Sequence, residues 1–329
     1  MSKATRPGAQ DVHRGKDGWL FLVGGSNDAL GYYTRPDAFT DVTLREWVSL
    51  LLARRERCRD LGITYAHLIV PDKLAVYGDK FDGRLPYRSR SPASVLPEAA
   101  ANAGLGDELV DILPELMRNR RRARLFWQTD THWTFEGCLI AYRVLCDRLG
   151  LEPDPDIVRG DSASFELLLD LGQKLDPPIS EQFHTGRVAQ RARRVAANPL
   201  VCWKERHGLE NDGGLHVGSN VVFCNHHPGA VDKCAVLFGD SFSEYRDHLL
   251  TGMLAETFRE LHFVWSASID WDYVRRVKPE VLITETAERF AGQVPADDFD
   301  LDRYTIQRLA PLMAAAPPPT GCYEHDLRL

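Results

Sequence analysis

Two short stretches hold residue types that together can carry out acyl transfer. One is Phe238-Gly239-Asp240-Ser241-Phe242-Ser243, the other Thr129-Asp130-Thr131-His132-Trp133. A serine hydroxyl is a weak nucleophile at neutral pH and needs an adjacent base. Downstream of Ser241 the histidines are His248, His262 and His325, and none closes an Asp-x-x-His tetrapeptide. The candidate base lies upstream instead, at His132, 109 residues before the serine. Such constellations are set by geometry and roles, so chain order is free. Two residues apart in a turn, the Asp130 carboxylate can hold one ring nitrogen of His132 and leave the other for Ser241. Each stretch alone has a plainer reading. Asp-Ser after a strand is often a turn with a helix cap, and Asp-x-His can be a capping device or half of a metal site.

The surrounding pattern places both stretches where they can meet. The apolar run "KCAVLF" (233–238) delivers the serine to a strand end. "ITYAHLIV" (63–70), "LVDIL" (109–113), "ARLFWQ" (123–128), "LHFVW" (261–265) and "EVLITE" (280–285) read as further strands. Helical spacing follows Thr43-Leu44-Arg45-Glu46, read as a capping box, and ends at Gly62. "TFEGCLIAYRVLCDRLG" (134–150) reads as a helix capped by Thr134, and "WDYVRRVK" (271–278) as another. Strands alternating with helices predict a three-layer α/β/α sandwich with a mostly parallel sheet. Ligands of such sheets bind beyond the carboxyl ends of the strands. Residues 151–230 lack a clear rhythm and read as an insertion or lid within one domain spanning 12–315. Residues 316–329 read as a loosely held tail.

Composition narrows the class. A formal net charge of −7 speaks against a nucleic-acid partner. The basic run Arg118–Arg124 reads as a solvated helix face. The start has no apolar core of a signal peptide, and no window offers a membrane helix. Seven scattered cysteines without a CxxC suit a reducing compartment. These features lead to the expectation of a cytoplasmic protein, or a periplasmic one if the start has been trimmed.

"GKDGWLFL" (15–22), "VPDKLAVY" (70–77), "TDTHWTFEG" (129–137), "DLGQKL" (170–175), "FGDSFS" (238–243) and "KPEVLITETAER" (278–289) occur in that order. Together they resemble the blocks of the AlgJ/AlgX group of polysaccharide O-acetyltransferases. The resemblance runs from about residue 12 to 290. It implies an SGNH hydrolase-like fold, with Asp130, His132 and Ser241 as a triad that moves acetyl groups onto sugar hydroxyls. The chain departs from the group in showing no export signal and no recognisable C-terminal carbohydrate-binding module.

Other residues carry two readings each. Gly25-Ser26-Asn27-Asp28 matches a GxND block whose Asn would donate to an oxyanion, but it is also a good turn. The Ser241 backbone N–H is the safer oxyanion donor. Trp133 would stack on a sugar or wedge its loop against the core. Arg289 would bind a substrate anion or pair with Glu285. Tyr245 is a further candidate for substrate contact. Cys224-Asn225-His226-His227 with Cys234 fits no standard zinc spacing, and no metal or cofactor is expected. The sequence thus leads to a serine-dependent O-acyltransferase acting on a carbohydrate or glycoside, with an acyl donor, possibly acetyl-CoA, as co-substrate. A membrane acyl-transfer partner would replace that donor in the group's usual setting. An esterase with the same triad, and a non-catalytic glycan-binding module, are the alternatives.

Overall fold

The computed structural model describes residues 8–25, 28–152 and 155–315. Eleven strands occur among them: β1 (Val12–Arg14), β2 (Leu20–Leu22), β3 (Thr64–Val70), β4 (Leu109–Asp111), β5 (Val158–Leu167), β6 (Glu181–Val188), β7 (Arg193–Ala197), β8 (Asn220–Cys224), β9 (Val231–Gly239), β10 (Phe258–Trp265) and β11 (Val281–Ala287). Seven of them form the central sheet in the order β4-β3-β11-β9-β10-β8-β7. The β4-to-β10 portion is parallel, and β8 and β7 extend it antiparallel. β3, β9 and β11 sit at the centre, and their apolar side chains are almost wholly buried. Continuous apolar runs are what a strand covered on both faces requires.

Helices cover the sheet, giving the expected α/β architecture. Asp41–Asp60 packs with Pro92–Asn102, and Phe135–Arg148 packs with Leu250–Thr257. Trp47 of the helix Asp41–Asp60 lies tilted against His67 of β3, with ring centroids 5.5 Å apart. The helix Phe135–Arg148 starts where the sequence places it, with Thr134 Oγ1 accepting the Gly137 N–H at 3.2 Å. Gly137 is required there, because a Cβ would stand 2.2 Å from the Leu125 carbonyl oxygen.

Four expectations change. The first long helix is capped by Thr40, which accepts from the Thr43 N–H, so Thr43 lies inside the helix. Residues 123–128 form no strand. They make only a bridge, Phe126 to Trp133, because their apolar side chains bury against the core while the backbone turns back on itself. The basic run is no helix face either. Its helix ends at Asn119, and Arg120 and Arg124 beyond it pair with Asp79 and Glu181. Finally, 151–230 divides into two parts. β5 and β6 make a separate hairpin, whereas β7 and β8 belong to the central sheet.

Candidate active site

β9 ends at Gly239, and the chain turns sharply to present Ser241. A Cβ on Gly239 would stand 2.9 Å from both Glu285 Oε2 and Ser243 Cβ, so only glycine fits the start of this turn. Asp240 pins it from within. Its Oδ1 accepts the Phe242 N–H at 3.0 Å, and its Oδ2 accepts the Ala287 N–H at 2.8 Å. Glu285 on β11 supports it from below, accepting from the Asp240 N–H at 3.0 Å and the Ser243 hydroxyl at 2.8 Å.

Asp130 and His132 arrive from a loop with no strand of its own. Asp130 Oδ1 accepts both the His132 backbone N–H at 2.7 Å and the ring Nδ1–H at 2.6 Å. His132 Nε2 lies 2.8 Å from Ser241 Oγ. The structure therefore joins the three predicted side chains in one hydrogen-bonded row. Two carboxylates from the 151–230 region hold the loop. Asp170 accepts from the Thr131 N–H at 2.9 Å and the Thr131 hydroxyl at 2.6 Å. Glu181 accepts from the backbone N–H of Gln128 at 3.1 Å and of Thr129 at 2.8 Å. The buried Lys73 ammonium donates to the carbonyls of Leu20 and Gln128 at 2.7 and 3.1 Å.

Burial alone would lower the pKa of His132. The charge and hydrogen bond of Asp130 outweigh it and hold the imidazole above its ordinary value. Burial would raise Asp130, but the imidazole and the two backbone donors hold it well below the usual carboxylate range. Burial and the charge of Asp130 push Asp170 up. Burial pushes Asp72 up to about 7, against the pull of Arg289. Burial brings Lys73 down to about 8. Asp130, His132 and Asp170 offer ligand atoms within 4.8 Å of one another. Their hydrogen bonds to each other, Thr131 and Ser241 already occupy them.

Comparison with known proteins bears on the fold. The family model of the SGNH hydrolase-like domain of acetyltransferase AlgX matches residues 12–167. The match includes Asp130 and His132 and ends before Ser241. No curated protein matches the sequence significantly. The O-acetyltransferase domain of Pseudomonas putida AlgJ superposes with a TM-score of 0.58 at 19% identity, covering 90% of this chain and 97% of that one. Bacillus cereus PatB1 gives 0.57 at 13% identity, covering 86% and 99%. Pseudomonas aeruginosa AlgX gives 0.53 at 15% identity, covering 86% of this chain and 63% of its own length. These likenesses show that the shared fold continues beyond the matched residues.

The remaining candidates fare differently. Arg289 reaches the site, with Nη2 3.3 Å from Ser241 Oγ and Nη1 3.6 Å from Asp72 Oδ1. Its guanidinium lies 5.0 Å from the Phe242 ring centroid. It does not take the expected place beside Glu285, whose carboxylate is turned under the serine. Glu288 fixes its backbone by accepting from the Tyr33 hydroxyl, the Asp72 N–H and the Ala93 N–H. Trp133 is 1% exposed and packs edge-on to Phe242, so it is the wedge and has no face free for a sugar. Tyr245 is half-buried, with Phe263 and the Lys204 ammonium as its neighbours. Asn27 lies outside the described residues. The sequence reading missed Lys73, Asp72, Asp170, Glu181 and Glu288. Lys73, Asp72, Asp170 and Glu288 fall inside the resembling blocks "VPDKLAVY", "DLGQKL" and "KPEVLITETAER", which was the available signal.

Proposed function

We propose that the chain is a serine-dependent O-acetyltransferase that acts on a carbohydrate or glycoside hydroxyl. The observation that carries this is the 2.8 Å approach of His132 Nε2 to Ser241 Oγ, with Asp130 on the other ring nitrogen. Ser241 Oγ attacks the donor carbonyl and passes its proton to His132 Nε2. The imidazolium, stabilised by Asp130, returns that proton to the leaving group. The acceptor hydroxyl then gives its proton to the imidazole and attacks the acyl-serine, and Ser241 leaves with the proton. Arg289 places a cationic donor 3.3 Å from Oγ, beside the acyl carbonyl oxygen on which negative charge would build in the tetrahedral intermediate.

The carbohydrate acceptor is suggested by the fold shared with AlgJ, AlgX and PatB1. It is supported by an aromatic row beside the site. Trp127, next to the Asp130 loop, stacks on Phe183, which stacks on Phe165, and Phe165 is 45% exposed. In this reading the enzyme needs no cofactor. Its donor is a soluble thioester such as acetyl-CoA and its location cytoplasmic, in keeping with free thiols at all six described cysteines. Cell fractionation tests that location. A periplasmic mature protein that depends on a membrane acyl carrier would replace it.

Mass spectrometry after incubation with an activated acetyl ester tests the chemistry. Acetyl is expected on Ser241, absent in Ser241→Ala, and moved to an oligosaccharide hydroxyl on addition of the acceptor. Release as acetate across a panel of sugars would convert the reading to an esterase. An unacetylated wild-type chain would remove the enzyme reading altogether.

A further inference from the structure

A second cluster, of thiol, carboxyl and imidazole side chains, lies toward the opposite end of the sheet from Ser241. Cys234 lies near the start of β9, and the parallel register sets it opposite Glu260 of β10. His262 follows two residues later on β10. Paired residues on adjacent strands share a sheet face, as do residues two apart on one strand. Cys234 Sγ, a Glu260 carboxylate oxygen and a His262 ring nitrogen lie within 4.8 Å of one another. Glu260 Oε1 is 2.7 Å from His262 Nε2 and 3.8 Å from Cys234 Sγ. On the other side, Cys224 of β8 is the antiparallel partner of Glu260, which puts a second thiol on this face.

We propose that Cys234, Glu260 and His262 form a binding site for a divalent cation of the zinc class, with Cys224 beside them as a weaker fourth donor. A thiolate, an imidazole and a carboxylate are the donor types zinc takes, whereas calcium and magnesium select oxygen alone. The imidazole is oriented from behind, as metal-bound histidines are. Its Nδ1 lies 2.6 Å from the Tyr273 hydroxyl, and Tyr273 is itself held by Asn220 Nδ2 at 3.1 Å. One thiolate and one carboxylate balance the charge of the ion. On binding, the Cys234 thiol proton leaves to solvent. The imidazole stays neutral, with its hydrogen on Nδ1 facing Tyr273. The charged neighbours include Glu280, which accepts the Cys234 N–H at 2.8 Å, Arg276, whose guanidinium lies 5.4 Å from the Tyr273 ring centroid, and Arg193 of β7, the antiparallel partner of Cys224.

Cys234, Glu260 and Cys224 are each partly exposed, so an ion can enter from solvent. Five residues of strand separate Cys234 from Gly239, about 17 Å at the usual rise. The site is therefore distinct from the Ser241 row. His227 of the Cys224-Asn225-His226-His227 stretch plays no part, since its Nδ1 accepts the Gly229 N–H at 3.1 Å.

Titration of the full chain with Co²⁺ tests this, read by thiolate-to-cobalt absorption and by metal counting after desalting. Wild type should bind one Co²⁺ with a thiolate band, and Zn²⁺ should displace it. Ions held by Asp130, His132 and Asp170 would give no such band, because no sulfur lies among them. Cys234→Ser should abolish the band and His262→Gln should weaken Co²⁺ binding at least tenfold. Cys224→Ser should weaken it less than Cys234→Ser, and Ser241→Ala should leave it unchanged. A wild-type chain without a thiolate band overturns the proposal whatever the variants do. So does a band that survives Cys234→Ser, or a Cys224→Ser effect larger than that of Cys234→Ser.

Discussion

The two arms of the Ser–His–Asp row are built in opposite ways. Ser241 stands on a turn that closes a central strand, and its supports come from β11 next door, through Glu285 and the Ala287 N–H. Asp130 and His132 stand on a loop with no place in the sheet. That loop is held by side chains from distant parts of the chain: Asp170, Glu181 and Lys73. The serine arm borrows its rigidity from the ladder of β9 and β11, whereas the histidine arm depends on a few buried charged groups. Positional error should enter through the histidine arm first.

The largest break on that arm is Asp130→Asn. The side chain keeps its shape but no longer accepts from both the backbone N–H and the ring with a full charge. Loss of tautomer control should cut acetyl turnover by about 10,000-fold, as in serine enzymes generally. The pH profile sharpens the point. His132 acts as base only when neutral, so the rate should rise with pH through a His132 pKa held above the ordinary value of about 6.5. In Asp130→Asn the main raising group is gone, while burial and Arg289 still lower the value against the weaker pull of Asp170. The residual rate should therefore have its acid limb at lower pH. A variant with near-wild-type turnover, or with an acid limb unmoved, would show that another group orients the ring.

Glu181→Ala asks whether the remote carboxylate positions the loop. It accepts from Gln128, Thr129 and Arg124, and none of these touches Ser241. A displacement of the loop by about 1 Å can cost on the order of 100-fold in rate. The loss should fall on kcat with KM for the acetyl donor little changed, and Glu181→Gln should recover part of it. Equal turnover in Glu181→Ala and wild type would mean that the loop holds itself.

The same contrast explains what the sequence disclosed. The serine turn was legible because a buried parallel strand must be an apolar run, and "KCAVLF" is one. The row itself was legible from residue types. The loop before Asp130 was misread as a strand, because Leu125, Phe126 and Trp127 are apolar through packing alone. Its backbone groups are met by side chains, such as the Tyr77 hydroxyl accepting the Leu125 N–H, and such partners leave no local pattern. β7 escaped notice for the reverse reason. It is an edge strand, and "RRVAA" opens on two arginines and is mostly exposed, as edges tend to be. Trp133 was ambiguous because burial is decided by residues elsewhere, here Phe126 and Phe242.

The smallest effect is expected on the serine arm, at Glu285. Burial and the charge of Asp240 push its carboxyl well above the ordinary value, which favours the protonated form. Its work is to accept from the Asp240 N–H and the Ser243 hydroxyl, which a glutamine oxygen can also do. Glu285→Gln should cost less than about 1 kcal/mol of stability near pH 7, within the range of one exchanged hydrogen bond. Glu285→Ala leaves two buried donors unmet and a hole beneath the turn, and should cost about 2–5 kcal/mol. Denaturant unfolding measures both. The folded pKa is raised, so the proton-linked stability of wild type is complete below the unfolded value and lost as pH rises through the folded one. Glutamine carries no such proton, so its relative stability should improve toward alkaline pH. If glutamine instead costs as much as alanine near pH 7, the carboxyl acts there as a charge. The serine turn would then rest on a buried ion, as the histidine loop does.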